Sequence, residues 1–199
     1  MLNLKSVVSH CAVMGLTACG AGVEGEDGLA TQESALVTGT SQGCTFTVSS
    51  AAQPGTLPPV YNVTVTRAAD ATCAYGAGSV VVGTSTGTAP TLSLAANDLG
   101  VAVSYTYKTS VSGSSPQSLG IRHVAPDTLD IVRYAGLSVY LGRGSIYSGS
   151  LSIASNGTTL TVSGTKNGTL YGQTGSGNTY VASYPDFFTS ETAPSIMTF

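Results

Sequence analysis

The stretch Leu151-Ser152-Ile153-Ala154-Ser155-Asn156-Gly157-Thr158-Thr159-Leu160-Thr161-Val162 decides the fold. An Asn-Gly pair supplies the positive φ angles of a two-residue type I′ turn, the strongest short-range sign of a β-hairpin. Pairing outward from it sets Ile153 opposite Leu160 and Leu151 opposite Val162. Strand side chains alternate between faces, so this register gathers the apolar set on one side. Ser152, Ser155 and Thr161 fall on the other.

Asn167-Gly168 repeats the signal eleven residues on. Either a two-residue turn or a three-residue turn including Lys166 fits. The first sets Tyr171 beside Gly164, the second Leu170. Residues 145–184 therefore read as a four-stranded meander. The same style runs upstream, with runs of Val, Thr, Tyr and Ile between Gly, Ser, Asn and Pro. Strands are expected over 45–49, 61–67, 79–84, 91–95, 101–109, 119–124, 128–134, 137–141, 145–155, 158–165, 169–174 and 179–184. Tyr105 and Tyr107, two apart on one strand, share a face. The expected class is all-β: an antiparallel β-sandwich or small barrel with a C-terminal β-meander. No fixed-length repeat indicates a solenoid. The chain has no Trp, and Cys44 and Cys73 stand too close together for the immunoglobulin pattern.

Only 9% of the 199 residues are charged, against roughly a quarter in an ordinary globular domain. Ser, Thr, Gly and Asn solvate the surface instead. The net charge of -3 offers no basic patch for phosphates, which excludes nucleic acid as a partner class.

At the amino terminus, Lys5 precedes a short apolar run ending at Leu16, too short to span a bilayer. Such a run after a positive start reads as a signal peptide. It closes with Leu16-Thr17-Ala18-Cys19-Gly20. This resembles the lipobox of bacterial lipoproteins, a Leu and two small residues before a Cys. The resemblance implies cleavage after residue 18 and diacylglycerol on the Cys19 thiol. The partner it implies is the membrane, held through that lipid. Gly20, where an Asp would retain the protein at the inner membrane, points by the same resemblance to the outer membrane. Cleavage nearby without lipid, giving a periplasmic or secreted protein, is the alternative. Residues 19–41 carry Glu24, Glu26, Asp27 and Glu33 and no basic residue, and read as an acidic tether. Residues 42–199 form the expected single all-β domain.

Of four cysteines, Cys11 leaves with the signal peptide and Cys19 takes the lipid. Cys44 and Cys73 remain, an even pair in an oxidising compartment, and are expected to form a disulfide. By chain entropy such a bridge is worth about 3–4 kcal/mol. With no C-x-x-C spacing and no nearby His, a metal or redox pair is disfavoured.

Chemistry has one dense window, Ile121 to Arg133. It holds His123, the only histidine after residue 18, with Arg122, Asp127, Asp130 and Arg133. Asp127 or Asp130 could orient His123 for a hydrolase triad with a Ser, or Asp127 and Asp130 together could hold Ca²⁺. The plainer reading is a solvated cross-strand ion network of Arg122, Asp130 and Arg133, with Pro126-Asp127 in a turn. No cofactor or metal motif is present, so none is expected. Tyr134, Tyr140, Tyr147, Tyr171, Tyr180 and Tyr184 crowd the carboxyl-terminal half. Tyr is both a good strand former and a rigid amphipathic contact for glycans and peptides. The expected function is that of an exported, lipid-anchored envelope protein with a non-enzymatic surface or interaction domain. Other envelope proteins or glycans are its expected partners. A glycan- or peptide-binding module using these tyrosines and a hydrolase centred on His123 are the alternatives.

Overall fold

The computed structural model describes residues 37–199. The expected signal peptide, Cys19 and the tether through residue 36 lie outside the described residues. Within them the chain is all β, with no α-helix.

Three sheets stack as layers, each open at two edges, which makes the fold sandwich-like rather than a closed barrel. The first holds β1 (Val37–Ser41), β2 (Cys44–Ala52), β3 (Val60–Arg67) and β4 (Gly78–Thr86) in that order. The middle sheet holds β5 (Leu92–Asn97), β6 (Gly100–Tyr107), β7 (Ser118–Val124) and β8 (Ile131–Leu137), also in order. The third is built from β9 (Ser145–Ile146), β10 (Ser150–Ile153), β11 (Leu160–Asn167), β12 (Gln173–Gly175), β13 (Thr179–Tyr184) and β14 (Ser195–Thr198). Its order is β10-β11-β13-β14-β12, with β9 beside β11.

Alternation along β6 explains the layering. Val101, Val103 and Tyr105 face the first sheet and pack with Phe46, Val48, Val63 and Val65. Ala102 faces the third and packs with Ile121, Leu160, Val162, Tyr180 and Phe187. A strand covered on both faces reads as a nearly unbroken buried run, and seven of the eight residues of β6 are buried. Each core supplies the usual apolar stabilisation of about 25 cal/mol per Å² removed from water. The Cys44–Cys73 disulfide is present and ties β2 to the loop before β4.

The hairpin register holds: Ile153 pairs with Leu160 and Leu151 with Val162. The turn differs from the expected type. Gly157 has φ 74, but Asn156 stays at negative φ. Its side-chain oxygen instead accepts from the Thr158 and Thr159 N–H groups, and Gly157 N–H donates to Ala154 O. Asn156 thus serves by side-chain capping of the turn.

The meander continues only in part. Asn167-Gly168 makes no hairpin, and neither Tyr171 nor Leu170 meets Gly164, which pairs with Tyr180. The buried Lys166 ammonium donates to Gly168 O and Gly177 O, so the chain runs past β11 and returns as β13. β12 moves to the edge, parallel to β14. The expected strands 128–134 and 137–141 are replaced by the single β8, which ends at Leu137 before the chain turns at Tyr140–Gly142 with Leu141 at φ 52. β1 begins five residues before the expected domain boundary. Its central Gly39 lies against Leu94, where a Cβ would come within 2.5 Å.

Candidate functional site

The expected cluster around His123 is not brought together. His123 and Asp127 lie on opposite sides of a bulge that closes β7. His123 is buried and points into the core with the third sheet, edge-on to Phe188 at 5.1 Å and tilted to Phe187 at 6.1 Å. Its Nε2 is buried without a hydrogen-bond partner. Asp127 and Asp130 are exposed on the β7–β8 turn. A general base of the expected kind needs a carboxylate to orient it, and neither Asp127 nor Asp130 bonds to this imidazole. Burial pulls its pKa below the usual range; the Leu99 carbonyl opposes this, and the nearby Arg133 adds to it. Among the described residues no cluster of three His, Cys, Asp or Glu side chains converges as a metal site would require.

The expected ion network is not formed either. Arg133 is buried on the same face as His123 and donates to the carbonyls of Phe187, Ser190 and Thr192. Arg67, also buried, donates to those of Gly76, Tyr75, Pro126 and Asp127. Asp130 uses its main chain, accepting from Ala125 N–H and donating to the Thr128 hydroxyl. In so charge-poor a domain, buried cations are matched by carbonyls of the loops they tie down.

The tyrosines divide. Tyr180 and Tyr184 are core residues, 1% exposed. The Tyr180 hydroxyl donates to Ser148 O at 2.7 Å, and burial pushes both phenols far up. They leave the expected ligand surface. Tyr134, Tyr140, Tyr147 and Tyr171 are exposed. Tyr140 and Tyr171 pack edge-on to each other at 5.0 Å.

Tyr134 belongs to a different constellation, which the sequence reading did not assemble. A cleft of about 530 Å³ opens where β4 ends the first sheet above β6, β7 and β8. Its floor is Arg122, which faces the first sheet because it is one residue from His123 on the same strand. The guanidinium lies 4.7 Å from the Tyr134 ring centre and 5.3 Å from that of Tyr105. Both are cation–π distances. Arg122 also donates to the Tyr105 hydroxyl at 2.6 Å and to the carbonyls of Ile121 and Ala135. The Tyr105 hydroxyl donates in turn to Val82 O.

Two glycines make room for the Tyr105 ring. A Cβ on Gly120 would come within 2.6 Å of it, and one on Gly83 would overlap its hydroxyl. Tyr107 and Lys108 complete one wall, and Tyr107 does share a face with Tyr105, ring to ring at 5.8 Å. The two charged groups in the lining, Arg122 and Lys108, are both cations. The signal that could have found this site was Gly120 and Arg122 alternating on the face opposite His123.

Searches of protein-family models, of curated proteins and of solved structures found nothing that matches this chain. The cleft is therefore read from its own chemistry. A half-buried arginine with part of its fork unused, flanked by aromatic faces, suits a carboxylate carried on a group that stacks on Tyr.

Proposed function

We propose that this chain is an exported, lipid-anchored envelope protein whose β-domain is a non-enzymatic binding module, with the cleft beside β4 as its ligand site. The ligand is an acidic polymer presented outside the cell membrane, a glycan or an extended peptide of another envelope protein. One observation carries this reading: the Arg122 guanidinium sits between the Tyr105 and Tyr134 rings in a cleft whose charged lining is wholly cationic. The Cys44–Cys73 bridge fits an oxidising compartment. The lipobox-like Leu16-Thr17-Ala18-Cys19 supplies the anchor. Several acyl chains together hold a protein at a membrane where one would not.

Two measurements test this. Acidic and neutral glycans and peptides are arrayed and probed with the full-length protein and with Arg122→Gln. Selective retention of acidic ligands, lost in the variant, is expected; equal retention by both proteins would refute the site. Growth with labelled palmitate should label the wild-type protein and not Cys19→Ala. An unlabelled wild type would refute the anchor.

A further inference from the structure

The cleft occupies the place where the first sheet has no fifth strand. β4 is the edge of that sheet. Beneath it lies Tyr105 of β6, whose ring meets Gly83. The middle sheet continues one step further, and its Arg122, Ile131 and Tyr134 form the uncovered floor. A strand added beside β4 would lie over these three residues.

The main chain of β4 can receive it. Gly87 N–H donates to Pro59 O, so the Val60–Thr86 pair is of the non-hydrogen-bonded kind. Thr86 accordingly turns outward, and its N–H donates to Lys108 O. Thr84 shares that orientation. Past the bulge between Val63 and Thr64, Val81 pairs with Thr64 and turns outward as well. Val81 and Thr84 both line the cleft. Apart from that bulge β4 carries little edge protection, since Gly-Ser-Val-Val-Val-Gly-Thr-Ser-Thr has neither a charge nor a proline. Val81 is 50% exposed. The bulge restricts pairing to a short run, so selectivity must come from side chains.

Resting on the proposed binding function, we infer that the ligand is an extended acidic peptide that adds to β4 as a fifth antiparallel strand. Alternate side chains of such a strand point into the cleft. A Glu or Asp there meets Arg122 and Lys108, and its neighbours two residues away lie against Tyr134 and Tyr107. Main-chain pairing supplies affinity and the pocket supplies the choice of residue. A glycan offers no alternating N–H and C=O groups for Val81 and Thr84, which is why the edge favours a peptide.

The test titrates isotopically labelled full-length protein with short capped peptides alternating Thr and Glu, or Thr and Gln. Two further versions of the Glu peptide are N-methylated on alternate amides, one on each edge. A uronate oligosaccharide is the glycan arm. The expected result is binding of the Glu peptide, with shifts at Val81, Thr84, Arg122 and Tyr134. Affinity should fall about tenfold or more for the Gln peptide and for Arg122→Gln. One N-methylated version should fail and the other bind. Equal binding of Glu and Gln peptides, or of both N-methylated versions, overturns the inference. Uronate binding at Arg122 without peptide binding overturns it while leaving the binding function standing. No shift with any acidic ligand overturns both.

Discussion

Arg122 and Arg133 stand on adjacent strands of one sheet and do opposite things. Arg133 faces the third sheet, is 7% exposed, donates to the Phe187, Ser190 and Thr192 carbonyls, and lies over the Phe187 and Tyr184 rings. Arg122 faces the first sheet at an uncovered margin. Its bonds run to two carbonyls and a tyrosine hydroxyl, and aromatic rings flank it. A buried arginine tied to three loop carbonyls is a fastening, and a half-buried one at an uncovered margin is a place for something else to bind. Position relative to the next layer, rather than residue type, separates the two.

The largest expected effect tests the fastening. Arg133→Met keeps much of the side-chain volume but leaves three loop carbonyls without their donor. A carbonyl left without its donor costs on the order of 1–3 kcal/mol where water cannot reach, as at Phe187, and less at the part-buried Ser190 and Thr192. Urea denaturation should show about 3 kcal/mol lost, against about 1 kcal/mol for Arg122→Met. Similar losses at both positions would abolish the contrast.

Gly120→Ala comes next and acts on the open side. Its new Cβ meets the Tyr105 ring at 2.6 Å, and overpacking of this kind costs about 1–3 kcal/mol. Displacing the ring also breaks the Arg122–Tyr105 bond. A crystal structure should show the guanidinium shifted, and acidic-ligand binding should weaken with it. An unmoved Arg122 would show that Tyr105 does not position it.

How much of this was legible in the sequence depends on range. The 151–162 register was readable because a local turn and period-two alternation fix it together. The path after Lys166 was not, because its ammonium binds the carbonyl of Gly177, eleven residues away. β14 was hidden by its short length and by Pro194 just before it. At the site, Arg122 and His123 had to lie on opposite faces by parity alone. The bulge between His123 and Val124 then puts Arg133, rather than Val132, beside His123. That bulge left no mark in the sequence. Tyr134 was readable as a tyrosine but not as the one placed over Arg122, since nothing local says where the first sheet ends.

A smaller effect tests the closed side through pH. His123 is held below its usual pKa chiefly by burial, with the Leu99 carbonyl opposing and Arg133 adding to the shift. The charged groups lining the small cleft beside it are Arg133 from β8 and Glu191 from the 187–191 segment. A histidine that resists protonation when folded adds no pH dependence above its unfolded pKa of about 6.5. Below that, the unfolded chain takes up a proton that the native state refuses, and stability falls until the lower folded pKa is passed. His123→Phe should flatten this part of the stability-against-pH curve between pH 7 and 5. A parallel curve in the variant would mean that other groups, the exposed carboxylates among them, carry the acid sensitivity.

Tyr134→Ala should have the least effect on the fold and sharpens the comparison most. The side chain is 67% exposed, so its loss should change stability by no more than about 0.5 kcal/mol. It is also one of the two rings flanking Arg122, and a cation–π contact of this kind is worth about 0.5–2 kcal/mol depending on how dry the site is. A bound ligand dries it. Removing the ring should therefore leave the denaturation midpoint in place while reducing affinity for acidic ligand several-fold. A stability loss comparable with that of Arg133→Met would make Tyr134 part of the fastening. Unchanged affinity would mean that the ligand meets Arg122 without the tyrosine, and that the open arginine acts as a charge alone.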